Sequence, residues 1–119
     1  MIAIFAGRLA AQRPIVVHGD GQQSRDFVYV GDVVRYLLAA MALRPAQAAV
    51  FNVCTGRATS ILELADAIAR VGGGRPRTEH VPARAGDIRA SLGDPGRLNA
   101  AFGFAAETRL AEGLARTLP

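Results

Sequence analysis

The chain contains no lysine and no tryptophan, and it has a single cysteine. All 14 of its basic residues are therefore arginines. The missing lysine excludes every mechanism that needs a lysine from this chain, whether as base, Schiff-base nucleophile or phosphate-loop cation. With Cys54 alone no internal disulfide can form, and a reducing compartment fits. No apolar run approaches the ~20 residues of a membrane span. The opening "MIAIFAGRLAAQRP" lacks a basic leader, and Arg8 interrupts its apolar stretch, so it does not read as a signal peptide. Cytoplasmic localisation is the expectation. The arginines are scattered from Arg8 to Arg116 with no basic run and no aromatic interleaving, so a net charge of +4 does not make a nucleic-acid module. Their spacing suits a phosphate-bearing small molecule better than a duplex.

What is present is a 119-residue chain, half of it hydrophobic, without low-complexity segments or repeats, as expected of one modest globular domain. Ile2, Phe5 and Leu9 fall at helical spacing before Pro14. "PIVVHG" and "RDFVYV" read as short strands joined by the "GDGQQS" turn. Val33, Leu37, Ala40 and Met41 mark one face of a helix from Asp32, its cap, to about Leu43, where Pro45 forbids continuation. "AAVFNVCTG", residues 48–56, reads as an apolar strand of the doubly buried kind. "TSILELADAIARVGGG" carries the strongest helix pattern, with a Ser60/Glu63 capping box and Gly72 to close it. After an extended stretch, Asp94 and Pro95 open a short helix that Gly103 stops, and a last helix runs from about Thr108. Strands alternating with helices give an α/β chain. The strand at Val50 to Val53 is the exception, because this chain barely supplies the neighbours it needs, which hints at missing sequence or a partner.

Arg25, Arg84 and Asp87 are the most suggestive polar residues. Arginine presents a rigid donor fork that matches phosphate oxygens, and Pro82 and Gly86 shape a loop able to present both Arg84 and Asp87. The same residues also suit an ordinary charged surface. Cys54 has no adjacent activating base and reads as core. His18 and His80 show no metal-ligand spacing. Tyr29, read as mid-strand, and Tyr36, read as helical, suit packing better than proton transfer. "VGGGR" follows a helix rather than a strand, so it is a C-cap and turn, not a phosphate loop.

Taken in series, "IVVHGDGQQSRDFVYVGDVV", "FNVCTGRATSILELADAI", "ARAGDIRASLGDPGRLNAAFGF" and "TRLAEGLARTL" resemble the C-terminal part of the NAD-dependent epimerase/dehydratase family, extended short-chain dehydrogenase/reductases typified by UDP-glucose 4-epimerases. The resemblance implies a C-terminal fragment of an extended Rossmann-type fold, with mixed short strands, about five helices and an incomplete sheet. Residues 1–119 would form the nucleotide-sugar-binding lobe, beginning inside a helix of that lobe. Residues 32–53 would return to a cofactor-binding sheet that this chain lacks.

By the same resemblance, the strand of Val16, Val17 and His18 offers backbone and side-chain packing to the nucleotide base, Arg25 and Arg84 reach the diphosphate, and Asp87 meets the ribose. The intact parent uses NAD, but the glycine-rich fingerprint and Tyr-x-x-x-Lys pair are absent here, so no catalytic residue is assigned and NAD is not expected to bind this chain alone. Cys54 departs from the family's usual glycine, which implies a small local backbone change. The implied partners are a nucleotide-diphosphate sugar and a cofactor domain or partner chain, with no nucleic acid or membrane. A non-catalytic accessory module that needs a partner chain, or a homo-oligomer formed through the orphan strand, are the alternatives.

Overall fold

A computed structural model describes residues 1–42 and 49–118. The element order is α1 (Ile2–Ala10), β1 (Ile15–His18), β2 (Ser24–Asp26), α2 (Val30–Ala42), β3 (Ala58–Ser60), α3 (Ile61–Val71), β4 (Thr78–Val81), β5 (Ala90–Ser91), α4 (Gly96–Phe102) and α5 (Leu110–Thr117). The fold is α/β with five helices among the described residues and two small sheets. β1 pairs in parallel with β4, and β2 lies between β3 (antiparallel) and β5 (parallel).

The principal core forms where α1, α3 and α5 cover β1. Phe5, Ile15, Val17, Ile61, Leu64, Ala65, Ile68 and Leu114 are buried together. α3 follows its sequence pattern closely. The Ser60 side chain accepts from the Glu63 main-chain N–H at 3.1 Å, and the Glu63 carboxylate accepts from the Ser60 N–H at 2.7 Å. The two bonds satisfy otherwise orphaned amides at the helix start. Gly72 ends α3 and the following glycines turn the chain away, as the "VGGGR" reading expects.

A second core gathers Tyr36 of α2 with Leu98, Ala106 and partly buried Val28, Phe51, Val53, Phe102 and Phe104. Tyr36 stacks on Phe104 at 4.5 Å and meets the edge of Phe102 at 5.6 Å. Its single hydroxyl hydrogen is shared between Asn99 Oδ1 at 3.0 Å and the Phe104 carbonyl at 3.1 Å. Burial pushes its pKa up. A tyrosine so packed and so engaged is a structural residue.

Several boundaries differ from expectation. Only Arg25 and Asp26 of "RDFVYV" join a sheet, as part of β2. Phe27 then packs on the first core and Val28 on the second, so the segment bridges the two cores instead of laddering, and Tyr29 is not mid-strand. α2 starts at Val30 because the Tyr29 carbonyl already accepts from the N–H groups of Asp32 and Val33. Asp32 lies inside the first turn and accepts from the Thr108 N–H at 3.1 Å, ahead of α5, which begins at Leu110. α4 begins at Gly96, one residue late, while Asp94 Oδ1 still accepts an N-terminal amide, that of Gly96, at 2.8 Å. Residues 49–54 form no strand. A strand exists by pairing, and no described segment offers these residues a partner edge. The expected α2 end at Leu43, the stop at Pro45 and the strand start at residue 48 lie outside the described residues.

The molecule measures 51 × 32 × 16 Å with a radius of gyration of 16.6 Å. A compact chain of this length has a radius near ~13–14 Å. The excess belongs to a slab with one face uncovered. α2 turns Val30, Val34, Leu37, Leu38 and Met41 outward, from 46% to 82% exposed. Their i, i+4, i+7, i+8, i+11 spacing makes one continuous apolar stripe.

Candidate functional site

Gln23, just before β2, and Arg25 within it are two residues apart, and both side chains reach Asp87, while Asp26 points to the opposite face. On the first face stands Asp87. Arg25 Nη2 donates to Asp87 Oδ1 at 2.8 Å, and Arg25 Nη1 donates to the carbonyls of Ile88 (2.6 Å) and Ser24 (2.8 Å). The guanidinium is mostly covered, with 22% of its side chain exposed against 34% for Asp87. Gln23, itself buried, donates from Nε2 to the His18 carbonyl at 2.9 Å and approaches Asp87 Oδ2 at 3.4 Å. Arg25, Asp87 and the C-terminal end of β1 are thereby tied into one cluster.

Arg84 reaches this cluster through a turn. The Asp87 N–H donates to the Arg84 carbonyl at 3.1 Å, and Gly86 between them has φ +79°. Positive φ at the third position of a four-residue turn favours glycine, because a Cβ would be strained there. Arg84 and Asp87 therefore flank a single tight turn. The Arg84 side chain makes no ion pair or hydrogen bond among the described residues. The two arginines thus differ in what they have left to give. Nη1 of Arg25 spends both its hydrogens on carbonyls, leaving the Nε–H and one Nη2–H, whereas Arg84 keeps all five donors.

Of the six predicted residues, the structure gathers His18, Arg25, Arg84 and Asp87. Val16 is partly exposed on β1, but Val17 is fully buried in the principal core, so it can offer a ligand only its main chain. His18 Nδ1 lies 3.3 Å from the Pro82 carbonyl, and His80 Nδ1 lies 2.8 Å from that of Gly19. These contacts clip β1 to β4 from both sides. No group of three or more metal-ligating side chains gathers among the described residues.

Three further residues belong to the neighbourhood and were not singled out from sequence. Gln23 links β1 to Asp87. Arg89 pairs with Asp20 at 2.7 and 2.9 Å, adding an exposed cation beside the 19–23 turn and holding the Asp20 carboxyl below its ordinary range, helped by the Gln22 N–H. Asp26 anchors the opposite face of β2. The signal available in sequence was the period of two, which places 23 with 25.

Cys54 is buried, and its thiol is pushed up by that burial and then by the nearby Asp26 charge. Its sulfur fills the space that a Cβ on Gly93 would need, which would stand 2.5 Å from Sγ. A groove of about 780 Å³ between α1 and the end of α3 holds none of the six residues; its lining, with Ile2, Ala6, Leu9, Ile68 and Val71, is mostly apolar.

Residues 1–54 match the NAD dependent epimerase/dehydratase family. The likeness in sequence and fold to individual UDP-glucose 4-epimerases extends over nearly the whole chain. The UDP-glucose 4-epimerase of Mycolicibacterium smegmatis is 40% identical over 99% of this chain and 37% of its own length. The UDP-glucose 4-epimerase of Thermotoga maritima, solved with UDP-glucose, superposes with a TM-score of 0.86 at 35% identity, covering 96% of this chain and 36% of that one. The Thermus thermophilus UDP-glucose 4-epimerase, solved with NAD, gives a TM-score of 0.80 at 33% identity, over 96% and 37%. The chain thus spans little more than a third of the family members it matches. No described helix is long and apolar enough to cross a membrane.

Proposed function

We propose that this chain supplies the nucleotide-sugar-binding lobe of an NAD-dependent sugar epimerase or dehydratase, gripping the diphosphate and nucleoside of a UDP-sugar-like substrate. The observation that carries the reading is the Arg25–Asp87 pair, fixed at the end of β1 beside the turn that brings in Arg84. A diphosphate needs more than one cation, and a guanidinium fork serves it bidentately. In this reading Arg84 delivers most of the mobile charge. Arg25 contributes its two remaining donors, and Asp87 keeps acceptor capacity for ribose hydroxyls. The main chain of β1, with Val16 and His18, borders the base.

NAD, when bound, takes up and returns a hydride. Its cradle is a G-x-G-x-x-G strand-to-helix turn, and the described strand-to-helix junctions have other spacings: β2 enters α2 with Gly31 alone, β3 enters α3 with no glycine, and β5 enters α4 with only Gly93 and Gly96. The chain's own part is binding and orientation. The uncovered α2 stripe supports a crossover by residues 32–53 onto the cofactor-binding sheet of the rest of such an enzyme. The same stripe also suits an accessory module covered by a separate chain. A reading frame upstream of Met1 that encodes a glycine fingerprint and Tyr-x-x-x-Lys decides for the first arrangement.

The test is titration of the purified chain with UDP and UDP-glucose, alongside Arg25→Ala and Arg84→Ala. Each substitution is expected to weaken binding by about tenfold, the worth of one or two charge-assisted bonds. Absence of UDP binding by the unsubstituted chain, or affinity indifferent to both arginines, overturns the proposal.

A further inference from the structure

We propose that Asp26 is a positioning residue for the diphosphate grip, acting as a register lock that holds Arg25 in place. The inference rests on the binding role proposed above for Arg25. Asp26 Oδ1 accepts from Thr55 Oγ1 at 2.6 Å and from the Thr55 N–H at 3.0 Å, while Oδ2 accepts from the Gly56 N–H at 2.8 Å. One carboxylate thus satisfies three donors from a segment some thirty residues away. Thr55 Oγ1 in turn accepts from the Arg57 N–H at 3.1 Å, so its hydroxyl hydrogen is committed to Asp26.

The need for such a lock follows from the size of the sheet. β2 pairs with β3 over three residues and with β5 over two. Ladders this short specify register weakly, and a slip of one residue exchanges the two faces of the strand. Such a slip would turn Arg25 toward Thr55 and Asp26 toward Asp87, leaving two carboxylates facing each other where a diphosphate should sit. The carboxylate on one face therefore decides whether the guanidinium is presented on the other. An amide in its place keeps one oxygen for three donors and sets its NH2 against an N–H, so Asp26→Asn removes the lock with little change of volume.

The experiment compares UDP and uridine affinities, by NMR titration of the full chain, for the unsubstituted protein, Asp26→Asn, Arg25→Ala and the double variant, with melting curves in parallel. Asp26→Asn is expected to weaken UDP binding by about tenfold, comparable to one charge-assisted bond. Uridine binding stays unchanged, and the double variant binds UDP no worse than Arg25→Ala alone. Additive losses in the double variant, an equal loss for uridine, or unchanged UDP affinity in Asp26→Asn each overturn the inference. If Asp26→Asn does not fold, Thr55→Val decides. It removes the 2.6 Å bond to Asp26 and the acceptor of the Arg57 N–H while both main-chain bonds to the carboxylate remain, and is expected to weaken UDP about two- to threefold while sparing uridine, whereas equal effects on both ligands refute the lock. Failure of the unsubstituted chain to bind UDP, or an Arg25→Ala variant that binds normally, instead removes the role for Arg25 on which the lock depends.

Discussion

Replacing Arg25 and Arg84 separately by alanine should split stability from binding. Arg25 serves three protein acceptors between 2.6 and 2.8 Å, two of them carbonyls on either side of the β2–β5 ladder. A net hydrogen bond contributes about 0.5–1.5 kcal/mol, more when charged. The site keeps 22% and 34% of its two charged side chains in water, so the orphaned acceptors partly re-solvate and the lower part of that range applies. Arg25→Ala is then expected to cost about 2–3 kcal/mol. Arg84 has no described partner, and its loss should stay within about 0.5 kcal/mol, as for ordinary surface substitutions. In a domain of this size each kcal/mol moves the melting temperature by about 4–8 °C. Thermal unfolding followed by circular dichroism should show Arg25→Ala melting about 10 °C or more below the parent and Arg84→Ala within a few degrees of it. Equal melting temperatures for the two variants would refute the division of labour between a structural and a mobile arginine.

The Cys54–Gly93 contact makes a size-swap prediction. Gly93→Ala should destabilise by about 1–3 kcal/mol through overpacking, and Cys54→Gly in the same chain should recover most of it, whereas Cys54→Ala should not, because the new Cβ also stands 2.7 Å from the Cys54 Cβ. Chemical denaturation of the three variants checks this. The Glu63 carboxyl is held below its ordinary range, first by the Ser60 N–H and then by the Ser60 hydroxyl. A carboxyl with a folded pKa below its unfolded one contributes stability above the unfolded pKa and loses it as pH falls through the folded value. Glu63→Gln should accordingly flatten the acid limb of the stability profile below about pH 4.5. An unchanged limb in urea titrations would show that the capping box carries no charge-dependent stability.

What was legible in sequence was mostly local. The Ser60–Glu63 box and the Ile61, Leu64, Ala65, Ile68 face read correctly because capping and burial there obey one short-range period. The strand pattern failed at "RDFVYV" and at Val50 to Val53 for a shared reason. β-branched, apolar residues announce burial, but a strand also requires an edge to pair with, and that depends on residues far away in the chain. Phe27 and Val28 found two different cores; Val53 found a side of the second core and no ladder. Arg25, Arg84 and Asp87 drew attention as a set through chemistry and the family resemblance. The Gln23 bridge and the Asp26 anchor are contacts across roughly thirty to sixty residues, and no periodicity announces them. Val17 narrows what the resemblance carries over: its side chain faces the core, which leaves its main chain to border a base.

The two-residue β5 has a consequence for how binding and order are coupled. The turn bearing Arg84 and Asp87 enters the sheet only through Ala90 and Ser91, while the principal core under β1 and α3 stands apart from it. Detaching the arm breaks the bonds from Arg25, Gln23, Ser24 and Asp20 to residues 87–89 but leaves that core intact, so amides from 84 to 91 should exchange with solvent before those of α3. A ligand held by Arg25 on one side and Arg84 on the other would staple the arm to the body. Substrate, in that case, completes a piece of the fold as well as occupying it.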